Sequence, residues 1–154
     1  MMEKNKTYLA FYKGKGNWMD KLIRLFTRGQ YSHVELAIYK GDWRFDCYSS
    51  SPRDGGVREK TMALNPMNWD FIPVDIEQAK IVDFYYETRG MKYDFLGAIG
   101  LVIPFLHQDK KKWFCSEWCA NVLGLEKPSQ YSPVKLSESI KNTQLNLKNQ
   151  KIFP

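Results

Sequence analysis

An α+β fold built on an antiparallel sheet is what this sequence predicts, and two observations carry the prediction. Strand-like segments crowd the first half of the chain and helical ones the second, with none of the regular strand–helix alternation of a parallel βαβ fold. At 154 residues, with 44% hydrophobic and 15% aromatic content, the chain is long enough for one well-cored domain over 1–154 and too short for two ordinary ones.

The first strand is read from Thr7-Tyr-Leu-Ala-Phe-Tyr12, ended by the turn-like Lys13-Gly-Lys-Gly16. Asn17 is a cap for a helix over Trp18 to Phe26, whose apolar residues Trp18, Leu22, Ile23 and Phe26 recur at helical spacing. That helix is amphipathic and basic; packing on the core is the favoured reading and contact with a membrane surface the alternative. A hairpin follows, with arms Ser32–Tyr39 and Trp43–Ser50 around the turn Lys40-Gly-Asp42. Pro52 to Val57 turns into another short strand. Trp69 to Val74 is strand-like, and Pro73 points to an edge strand or a strand end.

Asp75 is the expected cap of a helix to about Thr88, stopped by Gly90. The run Phe95 to Leu106 reads as a buried helix over 95–103, since about 12 apolar residues fall short of the roughly 20 needed to span a bilayer. A helix from Cys115 to about Leu123, closed by Gly124, and one opened by Ser132-Pro133 complete the pattern. The Lys/Asn/Gln-rich tail, 142–154, carries weak structural signals.

Three cysteines, Cys47, Cys115 and Cys119, are too few and too odd a number for a disulfide framework. No C-x-x-C or H-x-x-x-H spacing supports a zinc site, and no phosphate-binding glycine loop is present, so neither metal nor cofactor is expected. The net charge of +6 is the sole argument for nucleic acid, which is therefore disfavoured; the run Lys110-Lys-Lys112 reads as a solvated loop. No secretory signal and no transmembrane span are visible, so the chain is expected to be cytoplasmic as synthesised.

The chemistry centres on Trp113-Phe-Cys-Ser-Glu-Trp-Cys119, which sets Cys115 in the first turn of a helix. There the unsatisfied backbone N–H groups and the dipole favour a thiolate, and the Cys115 N–H is a natural oxyanion donor. His33, one of only two histidines, lies on the strand Tyr31–Tyr39 and is the candidate base. Glu35, two residues on, shares its face. A three-residue hairpin loop would pair Tyr39 with Trp43 and set Ser49 opposite His33, a second candidate to orient the imidazole; a one-residue change of loop would substitute Tyr48 or Ser50. Cys119 and Cys47 are assigned to packing, and His107 is given no role.

At these residues the sequence resembles the circularly permuted NlpC/P60 group of papain-like cysteine peptidases, its YiiX-like branch in particular. The matching blocks are Tyr31-Ser-His-Val-Glu-Leu36, Ser49 to Arg58, Lys92-Tyr-Asp-Phe-Leu-Gly97 and Phe114-Cys-Ser-Glu-Trp118, in the permuted His-then-Cys order. The resemblance implies a papain-like α+β core or half-barrel, Cys115 as nucleophile, His33 as general base, and Glu35 or, second, Ser49 as the third polar residue. It implies an amidase or peptidase, with cell-wall peptide as one substrate. Lipid acyltransferases or lipases of the lecithin-retinol acyltransferase type are similar, as are non-catalytic phage components that keep the fold. Small proteins of this pattern resemble ones encoded in phages, with delivery to the cell envelope or association with a virion.

Overall fold

The computed structural model describes residues 2–95 and 111–152. The expected apolar helix at 95–103 and His107 therefore fall, but for Phe95, outside the described residues. In chain order the elements are β1 (Thr7–Tyr12), α1 (Trp18–Thr27), β2 (His33–Gly41), β3 (Arg44–Ser51), β4 (Gly56–Ala63), β5 (Trp69–Val74), α2 (Gln78–Thr88), β6 (Lys92–Tyr93), β7 (Lys112–Trp113), α3 (Cys115–Val122), a 3-10 turn at Pro128–Gln130, and α4 (Pro133–Ile152).

The strands form one seven-stranded sheet in the order β5-β1-β2-β3-β4-β6-β7, curled into a half-barrel, and the fold is α+β. The sheet is antiparallel except at its end, where the two-residue strands β6 and β7 pair in parallel. Two residues carry no periodicity, so β6 is not expected from the sequence, while the short segment before Cys115 reads only as strand-like or coil. Pro73 does lie in an edge strand, β5, which among the described residues pairs only with β1.

Alternation along the central strands supplies both faces of the sheet. Leu9, Phe11, Val34 and Leu36 join Trp118, Cys119, Ile81 and Leu136 from the helices in one core cluster. Their neighbours in sequence, Tyr8, Ala10 and Ala37, pack with Phe45, Cys47 and Leu64 in a second. Helix α3 lies on β2 and β3, and Trp118 anchors it by donating Nε1–H to Thr88 Oγ1 at 2.9 Å.

The hairpin differs from the expected one in its turn. Asp42 and Trp43 both take positive φ, 49° and 57°, the pair of values a two-residue hairpin turn requires. Tyr39 consequently pairs with Phe45 and not with Trp43, with a bulge between Tyr39 and Gly41. Two helix ends also differ. Helix α2 begins at Gln78 behind Glu77, with no side-chain cap, and Asp75 lies outside it. Residues 142–152, expected to be weakly structured, continue α4. No glycine or proline interrupts the chain between Pro133 and Pro154, and Gln144 Nε2 donates to the Pro73 carbonyl at 2.6 Å.

Helix α1 has the expected boundaries and a reciprocal cap: Asn17 Oδ1 accepts from Asp20 N at 3.2 Å, and Asp20 Oδ2 accepts from Asn17 N at 2.8 Å. Its orientation is not the expected one. The residue it buries is Asp20, while Trp18 and Leu25 are 70% and 72% exposed. Ser32 Oγ donates to Asp20 Oδ1 (2.8 Å), Arg53 Nη2 donates to Asp20 Oδ2 (2.7 Å), and Arg24 Nη2 donates to Ser32 Oγ (3.1 Å) and to the Gly14 carbonyl. The polar side of the helix is thus the side that docks.

Gly56 holds the far end of the sheet together. At φ +157°, a Cβ there would come within 2.0 Å of the Met91 carbonyl oxygen, and the same close approach permits Val57 N–H to donate to that oxygen at 2.8 Å. Gly56→Ala is expected to destabilise the protein by more than about 2 kcal/mol in chemical denaturation, through displacement of β6.

Candidate functional site

His33 opens β2, and its imidazole faces the same side of the sheet as Glu35. The Nε2 nitrogen lies 2.6 Å from Glu35 Oε1. Glu35 is wholly buried, and Arg58 answers it from β4: Nη1 donates to Oε2 at 2.7 Å and Nη2 to Oε1. The guanidinium continues the chain of charge, with Nε donating to Asp54 Oδ2 at 2.9 Å. Alternating charges, imidazolium, carboxylate, guanidinium and carboxylate, thus run from His33 to Asp54.

The register explains how Arg58 reaches Glu35. Leu36 pairs with Tyr48, and Ser49 pairs with Arg58. Continuing the first register sets Ser49 opposite Glu35, so Glu35, Ser49 and Arg58 form a row across β2, β3 and β4. Strands two apart are roughly 9–10 Å from each other. The long guanidinium arm of Arg58 spans that distance.

This corrects the expectation for Ser49, which the register does not set opposite His33. The shorter turn moves the register, and the Ser49 hydroxyl donates instead to the Val34 carbonyl at 2.7 Å. Ser50 Oγ likewise donates to a backbone oxygen, that of Trp113, at 2.7 Å.

Burial alone would lower the pKa of His33. The Glu35 carboxylate, and after it Cys115, outweigh burial and raise it to about 9. Burial would likewise raise the pKa of Glu35, but Arg58 and then His33 bring it down to about 2. At neutral pH the pair is therefore imidazolium and carboxylate. With Nε2 engaged by Glu35, the buried Nδ1 meets no regular hydrogen-bond geometry among the described residues, and the Cys115 side chain interacts with the ring.

Cys115 begins α3, 2% exposed, behind Phe114, which provides no side-chain cap. The first-turn N–H groups of α3 consequently receive no help from the capping position. Cys115 is near enough to act on His33, and also on Tyr93 of β6, whose phenol is held protonated by burial first and by Cys115 second. The other two thiols are core residues: burial pushes both Cys47 and Cys119 up, so both stay protonated and inert.

On the His33 side of the sheet lies a cleft of about 130 Å³, between α1 and the strands. Met19, Ile23, Met62 and Trp69 give it an apolar wall, and Arg53 and Lys60 a cationic one. Cys115 is not on these walls; His33 stands between the cleft and the thiol's side of the sheet.

Arg58 and Tyr93 were not singled out from the sequence, although both fall within the blocks that carry the resemblance. Arg58 reads as an ordinary strand charge until the register is known. Tyr93 belongs to a strand too short to recognise. Among the described residues no helix is long and apolar enough to cross a membrane. Comparison with protein-family models, with curated proteins and with solved structures found no match.

Two outcomes follow from this geometry. Arg58→Ala leaves the Glu35 carboxylate buried with one partner fewer and should cost about 3–5 kcal/mol in denaturant titrations, with Arg58→Lys intermediate because an ammonium cannot form the two-pronged contact. The folded protein also holds the His33 proton more tightly than the unfolded chain. That contribution, on the order of 2–3 kcal/mol, is complete below about pH 6.5 and is lost as pH rises through about 9. Thermal melts of the wild type should decline over that window more steeply than those of His33→Gln.

Proposed function

We propose that this chain is a cysteine hydrolase of the circularly permuted NlpC/P60, papain-like kind, cleaving an amide through a thioester. The observation that carries the reading is the imidazole of His33, fixed at Nε2 by the buried Glu35 carboxylate and interacting with the Cys115 side chain. An imidazolium held by a carboxylate beside a thiol is what stabilises the thiolate.

In this reading the proton of Cys115 rests on His33 as a thiolate–imidazolium pair, and the sulfur attacks the carbonyl carbon of the substrate. The carbonyl π electrons move to oxygen, and the resulting oxyanion is met by the Cys115 N–H at the start of α3. Collapse breaks the C–N bond, the amine leaves with the proton from His33, and a thioester remains. Water then gives a proton to His33, attacks the thioester and releases the acid, restoring the thiolate–imidazolium pair. Glu35 holds the ring and favours the imidazolium, and Arg58 keeps Glu35 ionised. Cell-wall peptide is one amide that fits the proposal, reached by delivery to the envelope.

A second reading is favoured by the apolar wall formed by Met19, Ile23, Met62 and Trp69. Such a wall suits an acyl chain, and an ester in place of the amide would make the protein a lipase or, with an alcohol or amine replacing water, an acyltransferase.

Iodoacetamide should alkylate Cys115 at least tenfold faster than Cys47 or Cys119, with His33→Ala removing the difference. Equal, slow labelling of all three would sink the catalytic reading and leave a non-catalytic module. With a turned-over substrate, His33→Ala should lower kcat/KM by about 10²–10⁴. Wild-type turnover should fall above about pH 9, where His33 no longer carries the proton for the leaving group. Thioester trapping with muropeptide against lipid-ester substrates separates the two readings.

A further inference from the structure

Helix α1 sits on the protein the wrong way round for a core helix. On a helical wheel Asp20, Arg24 and Thr27 share one side, and Trp18, Leu22, Leu25 and Phe26 share the opposite one. The polar side is anchored, through Asp20 to Ser32 and Arg53 and through Arg24 to Ser32 and the Gly14 carbonyl. The apolar side is left outward: Trp18 and Leu25 are largely exposed, and Leu22 and Phe26 only partly covered. Among the described residues nothing packs over this stripe, and an exposed apolar stripe with a tryptophan at its head is costly in water.

The rim of the stripe is basic. Lys21 and Arg28 follow Leu25 round the wheel, Lys15 precedes the helix, and all three are exposed. The acid of this helix, Asp20, is buried and already paired with Arg53. A second copy of the chain would bring these cations face to face, whereas an anionic lipid surface would neutralise them while taking up Trp18 and Leu25.

We propose that α1 is a membrane-docking element that lies in the interfacial plane of an anionic bilayer, with Trp18, Leu22, Leu25 and Phe26 among the acyl chains and Lys15, Lys21 and Arg28 at the headgroups. Met19 and Ile23 of the same helix line the cleft beside His33, so docking sets the mouth of the cleft at the bilayer surface. The docking needs nothing from Cys115 and holds whether or not the thiol is a nucleophile.

The test is co-sedimentation of the full chain carrying Cys115→Ala with vesicles of phosphatidylcholine alone and of phosphatidylcholine with phosphatidylglycerol. The Cys115→Ala background keeps the result independent of any catalysis. Binding is expected on the anionic vesicles, at least tenfold weaker on the neutral ones and at high salt. Leu25→Asp and the pair Lys21→Glu, Arg28→Glu should each weaken it at least tenfold; these side chains are on the surface, and circular dichroism verifies that the variants fold. Trp18 fluorescence, read as the difference from Trp18→Phe, should shift to the blue on binding. Equal binding by all variants would overturn the proposal, as would absence of binding. So would a dimer in solution that Leu25→Asp dissociates, which would assign the stripe to a second copy.

Discussion

The buried carboxylate of Glu35 is the constraint on which this half-barrel and its candidate site both depend. An ionised group with no exposure to water is tolerable only if its charge is answered from close by. Here the answers come from two strands, His33 on β2 itself and Arg58 on β4. Satisfying that one charge ties β2 to β4 across β3 and engages His33 at Nε2. The site is a by-product of the way a charge is buried, and the His33 pKa is high for the same reason that Glu35's is low.

A second charged network does comparable work at the edge of the sheet. Asp20, Ser32, Arg24 and Arg53 join α1 to the start of β2 and to the loop after β3. Because polar contacts hold this helix, its apolar side is released from packing. The cleft then has one wall from a helix attached by hydrogen bonds and one from a sheet stabilised by a hydrophobic core on either face. Attachment of the first kind responds to salt and to local charge, whereas the sheet does not.

Much of the fold was legible in the chain. The caps Asn17 and Ser132, the alternation in β1 and β2, and the edge proline of β5 report local preferences that no tertiary contact overrode. Glu35 as the partner of His33 was legible too, because a strand's period of two puts both on one face. Ser49 was misplaced because the turn depends on left-handed backbone at Asp42 and Trp43, and tryptophan is a poor advertisement for that conformation. A hairpin turn different from the expected one moves every cross-strand neighbour. The orientation of α1 was misjudged because amphipathic spacing identifies an apolar side without saying which side the protein will bury. Helix α2 began three residues after the expected cap, since Asp75 and Glu77 are both plausible punctuation there.

By itself, then, the sequence determined what local physics can determine: which segments are strands, where helices start, and that a thiol heads one helix and an imidazole one strand. Tertiary structure alone decided what those groups experience. That Arg58 reaches Glu35 from two strands away, that Tyr93 comes beside Cys115, and that α1 turns its apolar side outward all depend on residues distant in the chain becoming neighbours. Charge, burial and register act through space, and a one-dimensional pattern carries periodicity but not proximity.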